Sequence, residues 1–357
     1  MRILDIYIGR IIASTTFITL SVFVSLSGII KFVEEIKTVT EGKGDYDIAH
    51  AALFVLYKIP PDIEMFFPMS ALIGGLIGMG MLASNSELVV MQAAGLSRVD
   101  IIKSVMKSAT ILVLISMAVG EWLAPESELA ARQLKAQAIS GGSLIPSADG
   151  TWAKDGDYFV HIGEVEDKGK LNDVQIYRFD KSLKLASWLS AESAIYQKDA
   201  WQLRDVVDTH LNENKMTKEL SSIKMWTSSL TPEKLGVVMV KPELLSLRGL
   251  SEYLSYLEEN NQDPSRYVLA FWRKIVQPLT VAVMLLLALS FVFGPLRSVS
   301  MGARIMMGVA TGILFFITNE VLGSLSLVYQ LPAAFGALMP SFIFVSLALY
   351  LMNIRPS

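Results

Sequence analysis

Basic side chains stand where apolar runs begin or end in three separate parts of the chain. Lys31 lies in SLSGIIKF with Lys37 close behind it, Arg132 and Lys135 share ARQLKAQ, and Arg266, Arg273 and Lys274 bracket the start of a further apolar run. A lysine ammonium is a compact point charge for a phosphate, and an arginine guanidinium is a planar fork. Gathered at one level of a membrane, such groups would attract a polyanionic ligand whose acyl chains sit among the apolar residues below. Lys31, Lys37, Arg132, Lys135 and Lys274 are the candidate phosphate ligands. The competing reading is that they snorkel to headgroups or pair with Glu34, Glu35, Glu126 and Glu128.

A second candidate site is a short segment, SNSELVVMQAAGLS at 84–97, set between two apolar runs. Ser84 or Ser86 can cap a helix, and Glu87 in the first turn suits the helix dipole. Leu88, Met91 and Gln92 follow at helical spacing, and Gly95 is a stop. A mere connection needs only a few residues. The pattern suits a helix that lies on lipid or one that fits a groove on a cytoplasmic partner. An apolar face led by a carboxylate matches a basic groove better than an anionic leaflet.

Other polar residues interrupt apolar surroundings. Asn319 and Glu320 fall inside an apolar run, where a carboxylate is a functional candidate or the counter-ion of a basic neighbour. Glu121 precedes Trp122 and reads as interfacial. Asp62 and Glu64, next to Pro60 and Pro61, read as the irregular beginning of a helix.

The elements that would carry these residues follow from composition. Of 357 residues 52% are hydrophobic and 18% charged, with mean hydropathy +0.45, against about 25% charged in an ordinary soluble domain. The charge deficit lies in two end regions. Six runs are long enough to cross a bilayer as helix, at about 8–32, 51–82, 101–123, 267–293, 305–328 and 333–352. Pro60, Pro61 and Pro68 should bend or interrupt the second. The first run is too long for a signal peptide and has no small-residue cleavage site after it, so it should be retained. Arg2, Arg10, Arg98, Lys103, Lys107, Arg297, Arg304 and Arg355 fall on one side of a six-span arrangement, which places both termini in the cytoplasm.

Between the third and fourth runs the pattern changes to short β-type segments, 158–165, 173–179, 192–197 and 201–211, separated by turn residues. This implies an antiparallel sandwich or barrel facing outward. GLSEYLSYLEEN, 249–260, reads as a helix leading back to the membrane. The organisation expected is 1–123 with three spans and the 84–97 helix, 124–265 as a β domain, and 266–357 with three more spans.

Much chemistry is excluded. The chain has no cysteine, and its three histidines lack metal-ligand spacing. There is no G-x-x-x-x-G-K-[ST], no G-x-S-x-G and no H-E-x-x-H. The spans are too uniformly apolar for an ion path. The net charge of −3 suggests no nucleic-acid partner. A membrane subunit handling something largely apolar, with energy supplied by a partner, is the reading that survives. Its rival is a membrane-anchored scaffold or binding protein without transport, which would not need a cytoplasmic docking helix.

SLSGIIKF (25–32), FFPMSALIGGLIGMGMLASNSELVVMQAAG (66–95), GEWLAPE (120–126), AQAISGGSL (136–144), WAKDG (152–156), LTPEKLGVV (230–238) and ALSFVFGPLRS (288–298) together resemble the LptF/LptG permeases of the lipopolysaccharide exporter. The likeness runs over essentially the whole chain. It implies six transmembrane helices with an inserted periplasmic all-β, jellyroll-like domain, in the Gram-negative inner membrane. It implies a heterodimer of LptF with LptG on two copies of the ATPase LptB, with LptC as a further partner. ATP and magnesium would be held by LptB, leaving this chain without a cofactor or catalytic residue. Glu87, with Leu88 and Met91, would then contact the ATPase, and Lys31, Arg132 and Lys135 would meet lipopolysaccharide phosphates.

Overall fold

The computed structural model describes residues 3–42, 44–140, 150–166, 169–180, 184–197, 199–212, 215–232, 235, 241–293 and 299–353. Arg2, Arg297 and Arg355, and parts of the 136–144, 230–238 and 288–298 stretches, lie outside the described residues. Two compact units share the chain. One comprises Met1–Lys31, Lys58–Ser127 and Ser265–Ser357, the other Phe32–Tyr57 and Glu128–Pro264.

Ten α-helices are described: α1 Ile3–Thr40, α2 Ile48–Tyr57, α3 Ile59–Ser84, α4 Glu87–Ala93, α5 Arg98–Ala118, α6 Ala124–Ser140, α7 Leu247–Glu259, α8 Ser265–Phe293, α9 Met301–Val328 and α10 Ala333–Asn353. Six helical stretches are long and apolar enough to cross a membrane: Ile3–Thr40, Ile59–Ser84, Arg98–Ile139, Ser265–Phe293, Met301–Val328 and Ala333–Asn353. The second expected span is divided. Pro60 and Pro61 sit in the first turn of α3, where a missing N–H costs nothing, and Lys58 separates α3 from α2. α1 runs beyond the apolar stretch to Thr40, because Phe32 and Val39 still pack on Tyr46, Ala51 and Ala138. A π-helical turn, Val119–Leu123, joins α5 to α6.

Small residues let the helical unit close. A Cβ on Gly74 would come within 2.5 Å of the Thr16 backbone in α1, and one on Gly75 within 3.0 Å of Ala288 and Leu285 in α8. Thr15 uses the same approach, donating its hydroxyl to the Gly74 carbonyl at 2.7 Å. Leu72, Leu76, Met79, Met284, Leu287 and Leu289 fill the core so formed.

The other unit holds one antiparallel sheet of six strands in chain order: β1 Thr151–Asp155, β2 Tyr158–Glu166, β3 Lys170–Phe179, β4 Leu185–Gln197, β5 Ala200–Asn212 and β6 Lys215–Trp226. The all-β insert is therefore present, connected as a meander rather than by the crossovers that the word jellyroll implies. A line of irregularity crosses it. Asp173 and Asp205 have φ of 49° and 50°, and Gly163 leaves room for the Asp173 carboxylate, which an added Cβ would meet at 2.9 Å. On one side of this line the buried residues are Val160, Ile162, Val174, Ile176, Ala191 and Val206. On the other they are Val165, Leu171, Ala194, Leu203 and Trp201, so the alternation has slipped by one residue. Left-handed residues thus bend the sheet while keeping one face buried on both sides of the bend. α7 is tied to β1, with the Tyr256 hydroxyl donating to the Lys154 carbonyl at 2.6 Å and the Gly156 N–H donating to the Asn260 side chain at 2.6 Å.

Candidate functional site

The short helix α4 is built at both ends by backbone rather than by serine. Ser86 precedes Glu87 in the left-handed conformation, φ 60°, and neither it nor Ser84 supplies the side-chain cap that the sequence suggests. Asn85 instead approaches Glu87 Oε1 at 3.5 Å. At the other end Gly95, φ 94°, donates to the Gln92 carbonyl and Leu96 to the Met91 carbonyl, a Schellman stop. Leu88 is buried in the helical core and Met91 packs against it. Val89 and Val90 face outward, 52% and 66% exposed. Glu87 accepts a 2.8 Å hydrogen bond from the Tyr7 hydroxyl of α1. The helix is therefore seated by Leu88 and Met91 and offers Val89, Val90 and one edge of Glu87. Sequence spacing identified the helix but could not say which of its apolar residues turns inward.

Nearby contacts tie this end of the unit together. Asp5 is buried, accepts from the Ser104 hydroxyl, and pairs with Lys107 at 2.8 Å. Arg304, read from sequence as a flanking charge, is instead buried, its guanidinium donating to the Gly80 carbonyl near the end of α3 at 2.9 Å.

The expected phosphate ligands fall in both units. In the helical unit Lys31 pairs with Asp62, which also accepts from the Ser27 hydroxyl at 2.8 Å. Lys274 pairs with Glu64 at 3.2 Å. Both carboxylates belong to the first turns of α3 and are buried. Gly120 in the π-helical turn abuts Glu64, where a Cβ would lie 2.5 Å from Oε1. Arg273 donates to the Asn319 carbonyl at 2.7 Å and pairs with Glu320 at 3.2 Å. Glu320 is thus an exposed counter-ion on α9.

In the strand-bearing unit Arg132 and Lys135 lie one turn apart on α6. Arg132 pairs with the fully buried Glu128 at 2.8 Å. Lys135 reaches both oxygens of Glu35 at 2.8 Å and stands 5.1 Å from the Phe54 ring centroid. The Tyr46 hydroxyl donates to the same carboxylate at 2.8 Å, and burial, reinforced by that bond and the Glu35 charge, pushes the phenol well above its ordinary range. Lys37 is exposed and has no ion-pair partner among the described residues. Asp62, Glu64, Tyr7 and Tyr46 are the partners that sequence reasoning missed. The signal available was two acidic residues, 62 and 64, at the head of an otherwise apolar span.

Among the described residues no cluster of His, Asp and Glu could hold a metal ion. The profile described as "Lipopolysaccharide export system permease LptF/LptG" matches residues 6–354. The chain belongs to the LptF/LptG family. It is 49% identical over 352 residues to the lipopolysaccharide export system permease protein LptG of Haemophilus influenzae, covering 98% of both chains. It is 46% identical over 353 residues, with the same coverage, to the LptG protein of Escherichia coli. Six apolar helices in an LptF/LptG chain of this length make it a multi-pass inner-membrane permease component.

Proposed function

We propose that this chain acts as the LptG-type half of an exporter that lifts lipopolysaccharide from the outer leaflet of the inner membrane. The observation that carries the reading is α4, a helix held from within by Leu88 and Met91 and turned outward through Val89, Val90 and Glu87. A helix so mounted transmits force, because its seat is continuous with the core of α3 and α5. An LptB-type ATPase dimer would dock there and hold the ATP and magnesium, and this chain would hold no cofactor. An LptF-type subunit would complete the cavity and an LptC-type protein would join the assembly. Both termini would be cytoplasmic, with residues 1–123 and 266–357 in the membrane and 124–265 forming a periplasmic domain that receives the lipid. Phosphates would meet Lys31, Lys37, Arg132, Lys135 and Lys274, while Glu320 would balance Arg273. ATP binding elsewhere would favour a narrower cavity with lower affinity for the lipid, a differential affinity between two states.

The test is Glu87→Ala in intact membranes, reading both ATPase co-purification and lipopolysaccharide export. Loss of both, with the chain still folded and inserted, is expected. Full retention of ATPase binding and export would overturn the docking assignment and favour a scaffold.

A further inference from the structure

Asp62 and Glu64 are two residues apart on α3, about 200° around the helix at 100° per residue. They therefore address opposite sides, and each takes a lysine from a different helix: Lys31 of α1 on one side, Lys274 of α8 on the other. Both lysines are among the five side chains assigned above to phosphate. The two pairs differ in access. Lys31 retains 29% of its side-chain exposure while Asp62 retains 7%, so the ammonium has an open side. Lys274 and Glu64 are at 7% and 11%, a closed pair. Glu64 Oε2 makes no hydrogen bond among the described residues.

Separating such a pair without replacing either partner leaves a desolvated charge, which is strongly unfavourable. A neutral lipid offers no replacement anion. A phosphate monoester carries close to two negative charges and three acceptor oxygens, so it can take an ammonium from a carboxylate. We propose that Asp62 and Glu64 are internal competitors for Lys31 and Lys274, holding α3 between α1 and α8 until phosphates of the incoming lipid take the lysines over. Lys31, open on one side, exchanges first, and Lys274 follows once α8 can move. The two carboxylates thereby hold down the affinity for a phosphorylated lipid, while a neutral lipid leaves both pairs closed. This rests on the assignment of the lysines to phosphate.

The experiment uses the full chain in its native complex, purified in detergent. Binding is measured with lipopolysaccharide before and after enzymatic removal of its phosphates. Asp62→Asn and Glu64→Gln should each tighten binding of the phosphorylated form by about tenfold, the scale of one lost charge competitor, and leave the dephosphorylated form unchanged. Unchanged or weaker binding of the phosphorylated form in both variants, with Lys31→Gln and Lys274→Gln weakening it, would overturn the competition while leaving the phosphate assignment standing. If the lysine variants also bind as wild type, the phosphate assignment itself falls, and the competition with it. Should a neutral variant fail to assemble, the charge-reversed pair Lys31→Asp with Asp62→Lys keeps the tie between α1 and α3. Its preference for the phosphorylated form should fall below that of wild type, since Lys274 is still in place, and an unchanged preference would overturn the proposal.

Discussion

α3 and α8 differ from α1 and α9 in surroundings far more than in composition. Their most apolar stretches have hydropathies of 1.7 and 2.3 against 1.9 and 1.8, yet 67% and 61% of those stretches are buried in α3 and α8, and only 17% and 22% in α1 and α9. Hydropathy says that a helix leaves water, and not whether it meets lipid or protein. Small residues decide that. α3 carries GGLIGMG, and the glycines admit Thr16 on one side and Leu285 with Ala288 on the other. α1 instead presents Phe17, Ile18, Val22, Leu26 and Ile29 outward. The interior pair is thus an organising core, and the rim pair keeps most of its apolar side chains exposed.

Gly75→Leu should break that contrast most. Its Cβ alone would stand 3.0 Å from Ala288 and Leu285, so the longer side chain must separate α3 from α8. A loss of about 3 kcal/mol or more is expected, at the upper end for overpacking, read as a lower denaturation midpoint of the purified chain. An unaltered midpoint would mean that the α3–α8 contact contributes little.

Leu26→Ala on the rim sharpens the same comparison with the opposite signature. Leu26 is 55% exposed within its unit, so the stability of the isolated chain should shift by no more than about 0.5 kcal/mol. Association with the second membrane subunit, measured by co-purification, should weaken. A stability loss as large as that of Gly75→Leu would erase the distinction between interior and rim.

The sequence made the six spans, the short helix α4 and the β insert legible, because each leaves a local signature: a long apolar run, a carboxylate before a helical stripe, alternation broken at turns. The expected phosphate ligands were legible as types and positions. Among their partners Glu35 and Glu128 were legible as candidates, but Asp62 and Glu64 were not. Asp62 lies thirty-one positions from Lys31, and no local pattern distinguishes a carboxylate that caps a helix from one that grips a distant lysine. β1 and β6 escaped notice for a related reason. β1 has only five residues, and β6, exposed along nearly its whole length, has no buried face to impose alternation. Arg304 was misread as a flanking charge because burial is a property of the packed bundle, and Gly80 supplies the opening that admits it.

A further comparison comes from the strand-bearing unit, where a polar tie does what shape does between α3 and α8. Tyr256 on α7 donates to the Lys154 carbonyl of β1, and burial, then the nearby Asp155 charge, push its phenol up to about 12. Tyr256→Phe should cost this unit about 1 kcal/mol, the net worth of one hydrogen bond. The sign of the pH dependence follows from the raised value. Between the ordinary tyrosine range near 10 and the folded value, the folded state holds the proton that the unfolded state has released. Stability is therefore level below pH 10 and falls as pH rises toward 12. The phenylalanine variant lacks this decline, so the difference between the two proteins should narrow across that window, measured as chemical denaturation midpoints at stepped pH. Tyr46, raised for the same kind of reason, leaves part of the decline in place, and Tyr46→Phe combined with Tyr256→Phe should flatten it further. Identical alkaline slopes in wild type and the double variant would show that neither hydroxyl is held by the fold, and the tie between α7 and β1 would then rest on Asn260 and its partners at Gly156 and Lys154.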